Sequence, residues 1–553
     1  MAAFCVVNPA CAPAPDYDLV IRGGTLYDGS GDPGLLVDLA ISGDTIVAKG
    51  DLAGATGRNE IDATGMAVAP GFVNLMSWAT ETMIEDGRAM SDILQGVTLQ
   101  VMGEGSSMGP IPDSLKDWAR GQQGDIKYEI EWSTLGEYLE YLVDRGVSPN
   151  VASFMGAATA RVNVLGFEDR APSPEELTEM QEQVRQAMRE GALGVASALI
   201  YAPGAYAETS ELIALAEAAG EFGGIYISHL RSEGNRLLEA FDEFLTIARE
   251  AGVPAEIYHL KAAGEENWSK MDEVIRRVEE AQGQGMRITA DMYTYTAGAT
   301  GLDAAMPPWA QEGGPEEWYA RLRDPDLRAR IAQEIITPTD EWENLLLAAG
   351  GAENVLLVGF KQDSLKYLTG KTLAEASEMR GTPPEITAMD LVSLDESRVG
   401  TVYFIMSEEN VKKKIALPWV SFCSDAGAPA AEGIFLDSNP HPRAYGSFAR
   451  LLGRYVREEQ VIPLPEAVRR LAAFPAENLG IRRRGRLEEG YFADVVVFDP
   501  ARIVDNATFA EPHQYATGVA HVFVNGIQVV SDGEHTGAKP GKVVRGPGWI
   551  GWD

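Results

Sequence analysis

Three stretches of the chain decide its fold: GIYISH (224–229), AEIYHL (255–260) and MRITADMY (286–293). Each is a short apolar run that ends in polar residues, and a helix-like amphipathic stretch separates it from the next. His229 and His259 lie 30 residues apart, and Asp291 follows His259 after a further 32 residues. Because one strand, one helix and their loops need about 30 residues, this spacing predicts successive parallel strands joined by helices.

The same pattern continues in both directions along the chain. Five further apolar runs complete a set of eight: VAPGFVNLM (68–76), VTLQVMGE (97–104), VASFMGA (151–157), LGVASALIY (193–201) and WVSFCSD (419–425). Helix signals lie between them, such as the capping box Ser173-Pro174-x-Glu176 with proline at the first helical position. Eight strand–helix units predict the α/β class and a (β/α)8 TIM-like barrel.

Both ends of the chain show the alternation of apolar and polar residues that is typical of antiparallel strands. Neither end has enough strands for a stable sheet, so we expect one small β-sandwich domain formed by residues 17–68 and 482–553. The barrel then occupies residues 69–481. The 134 residues between Asp291 and Asp425 exceed one crossover and predict an inserted subdomain, about 302–400, before the last barrel strand.

Composition excludes several classes of protein. The chain of 553 residues has 46 Lys and Arg against 82 Asp and Glu, a net charge of −36, which would repel nucleic acid and anionic membranes. Three cysteines exclude a disulfide scaffold and a cysteine-rich zinc module. No apolar stretch is long enough for a transmembrane segment. A soluble enzyme acting on a small molecule remains, and the sequence leaves a homo-oligomer open.

Residues 1–16 form a leader of small residues that includes ACAPAP. This segment resembles the end of a bacterial lipoprotein signal whose front is lost or altered, and a flexible extension is the alternative. The location of the protein therefore stays open between cytoplasm and periplasm.

Polar side chains cluster where the predicted strands end, which is where barrel enzymes hold their active sites. They are Glu104, His229, His259, Asp291 with Tyr293, and Asp425. Only six histidines occur in the chain, and two of them end successive strands. Two imidazoles with one carboxylate and an open fourth position form a recurrent catalytic zinc set. The alternative is that these histidines only cap their strands through hydrogen bonds.

The chain also resembles a known family through a combination of specific motifs: YISHLRSEG, EIYHLKAAG, ADMYTYTAGATGL, FCSDAG, HPRAYGSFARLLGRYVRE and RGRLEEGYFADVVVFDP. These are similar to the N-acyl-D-amino-acid deacylases (D-aminoacylases) of the amidohydrolase superfamily. The resemblance implies a barrel with a β-sandwich, a zinc ion held by a cysteine and two histidines, and an aspartate as general base. The histidines match His229 and His259, the aspartate matches Asp425, and the cysteine position holds Glu104.

Two departures from that family stand out. After Pro-Gly-Phe the family has a D-x-H-x-H segment, but this chain has Asn74-Leu75-Met76-Ser77-Trp78. Near the end of the third strand, Gly156-Ala157-Ala158 stands where the family has another histidine. Loss of the first pair removes the second metal position, so we expect one zinc per chain, with Glu104 as its third ligand.

Candidates for binding the substrate lie close to these residues. Arg231 and Lys261 each follow a histidine by two residues, and Arg443 lies in HPRAYG. Any of them would suit a substrate carboxylate, and a solvated or ion-paired side chain is the alternative. Tyr201 and Tyr293 are candidate donors to a carbonyl oxygen, or else packed aromatics.

The sequence therefore predicts a zinc amidohydrolase that cleaves an N-acyl-amino acid or a related small amide with Asp425 as base. Other amides, such as a dipeptide, an aryl amide or a cyclic ureide, remain alternatives. A homologue that binds ligands without turnover is a further alternative, because the H-x-H pair is missing. We expect Cys423 and the four remaining histidines to be structural.

Overall fold

The structure is a computed structural model that describes residues 15–551 of the chain. Its centre is a barrel of eight parallel strands, which we number one to eight in chain order: Phe72–Asn74, Val97–Met102, Asn150–Ser153 continued by Met155–Gly156, Gly194–Ala198, Ile225–His229, Ala255–Ile257, Ile288–Met292 and Val420–Phe422. Each apolar run of the sequence contributes one strand. The predicted fold class is confirmed.

Each barrel strand pairs in parallel with the strands before and after it. Strand three pairs with strand two through its first part and with strand four through Met155–Gly156. The barrel closes where Ser77 bridges to Ala426 and the Asp425 amide donates to the Met76 carbonyl at 3.0 Å. Since every strand is covered on both faces, its sequence is apolar throughout instead of alternating.

Helices surround the barrel, and all of them except Asp113–Gln122 have buried residues. They are Thr80–Glu85, Met90–Ile93, Asp113–Gln122, Leu135–Arg145, Ala157–Leu165, Pro174–Arg189, Thr209–Gly220, Leu237–Ala251, Lys270–Gly283, Glu408–Ile415, Arg443–Arg450 with its π-helical continuation Leu451–Glu458, Leu464–Leu471 and Ala473–Asn478. The predicted capping box is confirmed, because Ser173 and Glu176 exchange side-chain-to-backbone hydrogen bonds at 3.2 and 2.7 Å. Within residues 15–551, no helix combines the length and apolar character needed to span a membrane.

Two sheets form the β-sandwich beside the barrel. A four-stranded sheet comes from the first part of the chain, in the order Thr45–Gly50, Asp38–Ser42, Tyr17–Arg22, Gly57–Asp62. A seven-stranded sheet combines both ends, in the order Glu534–His535, Ile527–Ser531, Val519–Val524, Val495–Phe498, Ala67–Pro70, Thr25–Leu26, Leu35–Leu36. Residues 1–14 of the expected leader lie outside the described residues.

The insertion between strands seven and eight has its own small sheet, and its apolar residues form one cluster with the interior of the barrel. Its three antiparallel strands are Gly298–Gly301, Gly400–Tyr403 and Val355–Gly359, in that order. Its α-helices are Pro315–Arg323, Pro325–Ile335, Leu345–Ala348, Leu373–Arg380 and Pro384–Asp395. The Tyr206 hydroxyl donates to the Pro308 carbonyl at 2.9 Å, and the Gly313 amide donates to Phe167 at 3.0 Å. These contacts hold the insertion over the barrel mouth near strands three and four.

Candidate active site

Three side chains with metal-ligating atoms meet at the carboxyl end of the barrel. Glu104 follows strand two, His229 ends strand five and His259 follows strand six. The Glu104 Oε1 atom lies 3.2 Å from Nδ1 of His229 and 3.1 Å from Nε2 of His259. Those two nitrogens are 3.0 Å apart, and all three side chains are buried. The structure thus brings together the three residues that we predicted as ligands.

This donor set fits one zinc ion. Ligand atoms around tetrahedral zinc, at bonds of ~2.0–2.1 Å, are about 3.3 Å from one another, which is close to the separations here. The electrostatics also favour a cation. Burial and Lys261 lower the pKa of His259, but the carboxylates of Glu233 and Glu104 outweigh them and raise that pKa to about 10. A site that holds a proton so firmly has an excess of negative charge, which a divalent metal neutralises.

Glu233 is a site residue that the sequence analysis missed. Its Oε1 lies 3.2 Å from Nδ1 of His259, and its Oε2 lies 3.5 Å from Nε2 of His229. One buried carboxylate therefore faces the outer nitrogen of both imidazoles. Carboxylates in this position orient metal-ligating histidines and raise their basicity. The signal in the sequence is SHLRSEG, in which an acid follows the strand-end histidine by four residues.

Lys261 lies on the same carboxylate. Its buried ammonium donates to both oxygens of Glu233 at 2.7 and 2.8 Å, and lies 2.7 Å from Nδ1 of His259. Lys261, Glu233 and the two histidines thus form one connected cluster. Lys261 also lines the cavity described below.

Asp425 follows strand eight and is paired with Arg443. The Arg443 Nη1 atom lies 2.5 Å from Oδ2 of Asp425, and both side chains are buried. Burial raises the pKa of Asp425 above its ordinary value, although Arg443 and His259 lower it. Nη1 is engaged with Asp425 and Nη2 donates to the Ala299 carbonyl at 3.3 Å, but Nε of Arg443 donates no hydrogen bond within residues 15–551. The arginine therefore has a donor to offer to a ligand.

Two tyrosines complete the wall around the ligands. The Tyr201 ring centre lies 5.2 Å from that of His229, and the Tyr293 ring lies 4.5 Å below the guanidinium of Arg443. Burial raises the pKa of both hydroxyls, which stay protonated as donors. The buried Tyr293 hydroxyl has no hydrogen-bond partner in the described part of the chain.

Two residues of the site have strained backbones. His259 has φ of 33° and Asp425 has φ of 49°, a region that side chains with a Cβ rarely adopt. Such strain costs of order 1–3 kcal/mol and clusters at functional sites. The turn at each strand end aims these side chains into the mouth of the barrel.

The positions where the family would have histidines carry no metal ligand here. Met76 is buried in the core of the barrel, whereas Trp78 is 42% exposed and lines the cavity. The side-chain amide of Asn74 donates hydrogen bonds to Asp92 and Ser424 at 2.8 and 2.7 Å. Ala158, near the end of strand three, also lines the cavity.

Arg231 does not join the other candidates. Its Nε donates to Glu243 at 2.8 Å, and its remaining donors bond to the backbone carbonyls of Ala205 and Ala207. It lines a separate cavity of about 550 Å³ on the outer side of the strand-five loop. The side chain two residues after His229 thus points away from the ligands, and the cations that line the cavity are Lys261, Arg443 and, from the insertion, Arg398.

The remaining candidates have structural contacts. Cys423 is buried and donates to Asp291 at 3.0 Å, and Asp291 in turn accepts from the His259 amide at 2.7 Å. His441 lines the cavity, but its ring nitrogens contact the Ala297 carbonyl and the Arg443 amide, which fixes the arginine. The other three histidines, His513, His521 and His535, lie outside this cavity.

One cavity of about 690 Å³ contains the cluster, and its two sides differ. The charged half lies over strands five to eight and consists of Glu233, Lys261, Tyr293, Asp425 and Arg443. The aromatic half lies over strands one to four, roofed by the insertion, and consists of Trp78, Trp118, Phe167, Ile200, Trp318 and Tyr319. Glu104, His229 and His259 lie between them.

Comparison with known proteins agrees with this architecture. Residues 59–530 match the model of the amidohydrolase family. A D-aminoacylase from Alcaligenes xylosoxydans xylosoxydans is 31% identical over 96% of this chain and 97% of its own length. This chain belongs to the amidohydrolase family. Its motifs, quoted above, place it beside the D-aminoacylases.

Solved structures extend the likeness to the whole fold. One D-aminoacylase structure has a TM-score of 0.79 at 30% identity, and the match covers 96% of this chain and 100% of that one. That enzyme has a binuclear metal centre in which one metal activates and the second attenuates. An N-acyl-D-glutamate deacylase from Bordetella bronchiseptica, complexed with zinc and a phosphonate mimic of the tetrahedral intermediate, has a TM-score of 0.78 at 30% identity. It covers 96% of this chain and 99% of its own.

Proposed function

We propose that this protein is a mononuclear zinc amidohydrolase that cleaves the amide bond of an N-acyl-amino acid. The observation that carries the proposal is the meeting of a three-ligand set, a buried aspartate and two cations in one cavity. This set contains what amide hydrolysis needs: a metal site, a base and a means of holding a charged substrate.

The residues favour one zinc rather than two. Glu104, His229 and His259 would hold it, and zinc, when bound, supplies Lewis-acid polarisation of the amide carbonyl and an acidified water. Met76 and Trp78 stand where a second ion would need imidazoles. An indole N–H cannot act as a ligand, and a thioether binds zinc weakly. The one-metal activation described for the similar D-aminoacylase supports the same view.

Asp425 is placed to move the proton. As a carboxylate it accepts the proton of the attacking water, and as the acid it delivers that proton to the leaving amine. Burial raises its pKa, which makes the second step easier than for an exposed aspartate. Arg443 opposes this shift by favouring the charged form, which is the form that serves first as a base.

Lys261 and Arg443 would bind the carboxylate of the amino acid. Both are buried cations on the charged half, and Nε of Arg443 has no hydrogen-bond partner within residues 15–551, so it can donate to a carboxylate. Tyr293 has an unpartnered hydroxyl, and Tyr201 lies beside His229, so both are candidate donors to the amide oxygen. The similar proteins act on N-acyl-D-amino acids, which makes the D series the first to be tried.

Metal analysis coupled to a substrate screen tests the proposal. Protein purified without chelator should contain about one zinc per chain and hydrolyse N-acyl-D- or N-acyl-L-amino acids. Two tightly bound metals would contradict the mononuclear site. Failure to bind metal under any loading condition would favour the non-catalytic homologue. If the protein hydrolyses only dipeptides, aryl amides or cyclic ureides, that class of amide replaces the N-acyl-amino acids as its substrate.

A further inference from the structure

The aromatic half of the cavity has no role in the mechanism described above. Trp78, Trp118 and Phe167 all line the cavity, and the exposed fraction of Trp78 reaches 42%. Each ring is large and apolar, and leaving it in contact with water forgoes the stabilisation that burial would provide. Rings that remain accessible inside a concave site are the usual lining of ligand pockets.

These rings come from separate parts of the chain. Trp78 follows strand one, Trp118 lies on the helix Asp113–Gln122 after strand two, and Phe167 follows the helix after strand three. The centres of Trp118 and Phe167 are 5.4 Å apart. The insertion adds Tyr319, which lines the same cavity from above. Four segments thus bring aromatic rings to one cavity, and we call these rings the aromatic wall.

The wall surrounds open space. Beneath the rings, the lining near strands two to four includes the small residues Gly105, Ala158 and Ala198 beside the larger Ile200 and Tyr201. The cavity of 690 Å³ has room for roughly twenty waters at about 30 Å³ each, far more than a small N-acetylated amino acid fills. The insertion also brings Arg398 to the cavity, but Asp303 pairs with its guanidinium at 2.9 Å.

The position of the charges decides which part of a substrate reaches this wall. Lys261 and Arg443 lie over strands six to eight, so the carboxylate end of a substrate points there. The amide must lie at Glu104, His229 and His259, which separate the two halves. The acyl group therefore extends to the opposite side, over strands one to four. Trp78 lies where the two halves meet, since its amide donates to the Ala426 carbonyl at 2.9 Å, next to Asp425, and its ring lines the cavity there.

We propose that the aromatic half is an acyl-binding subsite and that the preferred substrates carry a large apolar acyl group, of medium chain length or aromatic. This inference rests on the proposed function and narrows its substrate class. Each methylene buried there should improve kcat/KM by up to ~4-fold until the wall is covered.

The experiment compares one amino acid with N-acetyl, N-octanoyl and N-phenylacetyl groups on the zinc-loaded protein. We expect kcat/KM for the octanoyl substrate to exceed that for the acetyl substrate by at least ~10-fold. The phenylacetyl substrate shows whether an aromatic group is favoured as well. An acetyl substrate that is cleaved as well as the octanoyl one would overturn the subsite.

Variants locate the effect. Trp78→Ala and, separately, Trp118→Ala should each lower the octanoyl-to-acetyl ratio of kcat/KM by ~5-fold or more, because each removes an apolar contact. Tyr367→Ala is the control, since that ring is 57% exposed and does not line the cavity. If both tryptophan variants keep the parent ratio, the acyl group does not lie on this wall.

A binding measurement separates this inference from the proposed function. Asp425→Asn protein is titrated with the N-octanoyl and N-acetyl compounds, and tryptophan fluorescence reports occupancy. Tighter octanoyl binding that depends on Trp78 would support the subsite even if no N-acyl-amino acid is hydrolysed. Equal affinity for the two compounds would contradict it, whatever the catalytic result.

Discussion

Over strands five to eight, the barrel mouth carries buried charges that pair with one another, whereas over strands one to four it carries rings and small residues around open space. In the charged half, the carboxylates pair with the cations: Asp425 with Arg443 at 2.5 Å, and Glu233 with Lys261 at 2.7 and 2.8 Å. In the aromatic half, large rings line the cavity, and Trp78 remains 42% exposed. The difference indicates a division of work: the charged half positions and activates the amide, and the aromatic half selects what is attached to it.

The strongest test of the charged half is Asp425→Asn. The amide keeps the shape of the side chain but cannot accept a proton, so turnover should fall by ~10²–10⁴ while zinc content is unchanged. Steady-state kinetics and metal analysis on the same preparation measure both. Near-normal turnover would show that another group is the base.

The boundary between the halves is tested at Glu104. Glu104→Gln removes the only anionic ligand, so zinc affinity should fall by more than ~100-fold, and activity should fall with it. This loss exceeds the effect usually seen when a residue that only hydrogen-bonds to a metal ligand is replaced. Glu104→Cys should retain zinc, because a thiolate is also a good ligand, provided its shorter reach is accommodated. Chelator competition gives the affinities. If the glutamine variant binds zinc as tightly as the parent, Glu104 is not the third ligand, and Asp291 or Asp425 takes that role.

Glu233 sharpens the comparison, because it belongs to the charged half yet touches no substrate in our scheme. Glu233→Gln should weaken zinc binding by ~10–100-fold, since the neutral amide orients the two imidazoles less strongly and leaves Lys261 without a counter-charge. Glu243→Gln is the matched control, as that carboxylate pairs with Arg231 outside the cavity. Equal zinc affinity in both variants would show that Glu233 does not support the zinc ligands and only pairs with Lys261.

The smallest expected effect concerns the hold on the substrate carboxylate. Arg443→Lys keeps the charge but loses the Nε donor of the planar guanidinium, so KM should rise by ~10-fold with a smaller change in kcat. Arg231→Lys should leave KM within ~2-fold, because Arg231 lines the other cavity. A rise in KM for Arg231→Lys as large as for Arg443→Lys would place the carboxylate elsewhere.

The candidate metal ligands and much of the charged half were visible in the sequence. His229, His259 and Asp425 are chemically distinctive residues at strand ends, and parallel strands bring their carboxyl ends to one rim. Glu233 was not found, because an acid four residues beyond a strand is ordinary in a chain with 82 acidic residues. Arg231 was placed at the site by its spacing alone, and spacing does not determine which way a loop side chain turns.

The aromatic half shows the limit of sequence reasoning more clearly. Trp118 and Phe167 are 49 positions apart in the chain and stand 5.4 Å apart in space. Nothing in either local pattern separates a ring that lines a cavity from one that packs in a core. The contact depends on how two loops and the insertion fold back over the mouth.

The sequence by itself determined the eight strands, the β-sandwich and the residues able to bind zinc, because local periodicity and rare side chains carry that information along the chain. Only the tertiary structure decided which charges pair, that Glu233 faces both histidines, that Arg231 points away, and that four distant segments bring aromatic rings to one cavity. The physical reason is that these relations depend on the distances and directions of side chains brought together by packing, and no periodicity of the chain records them.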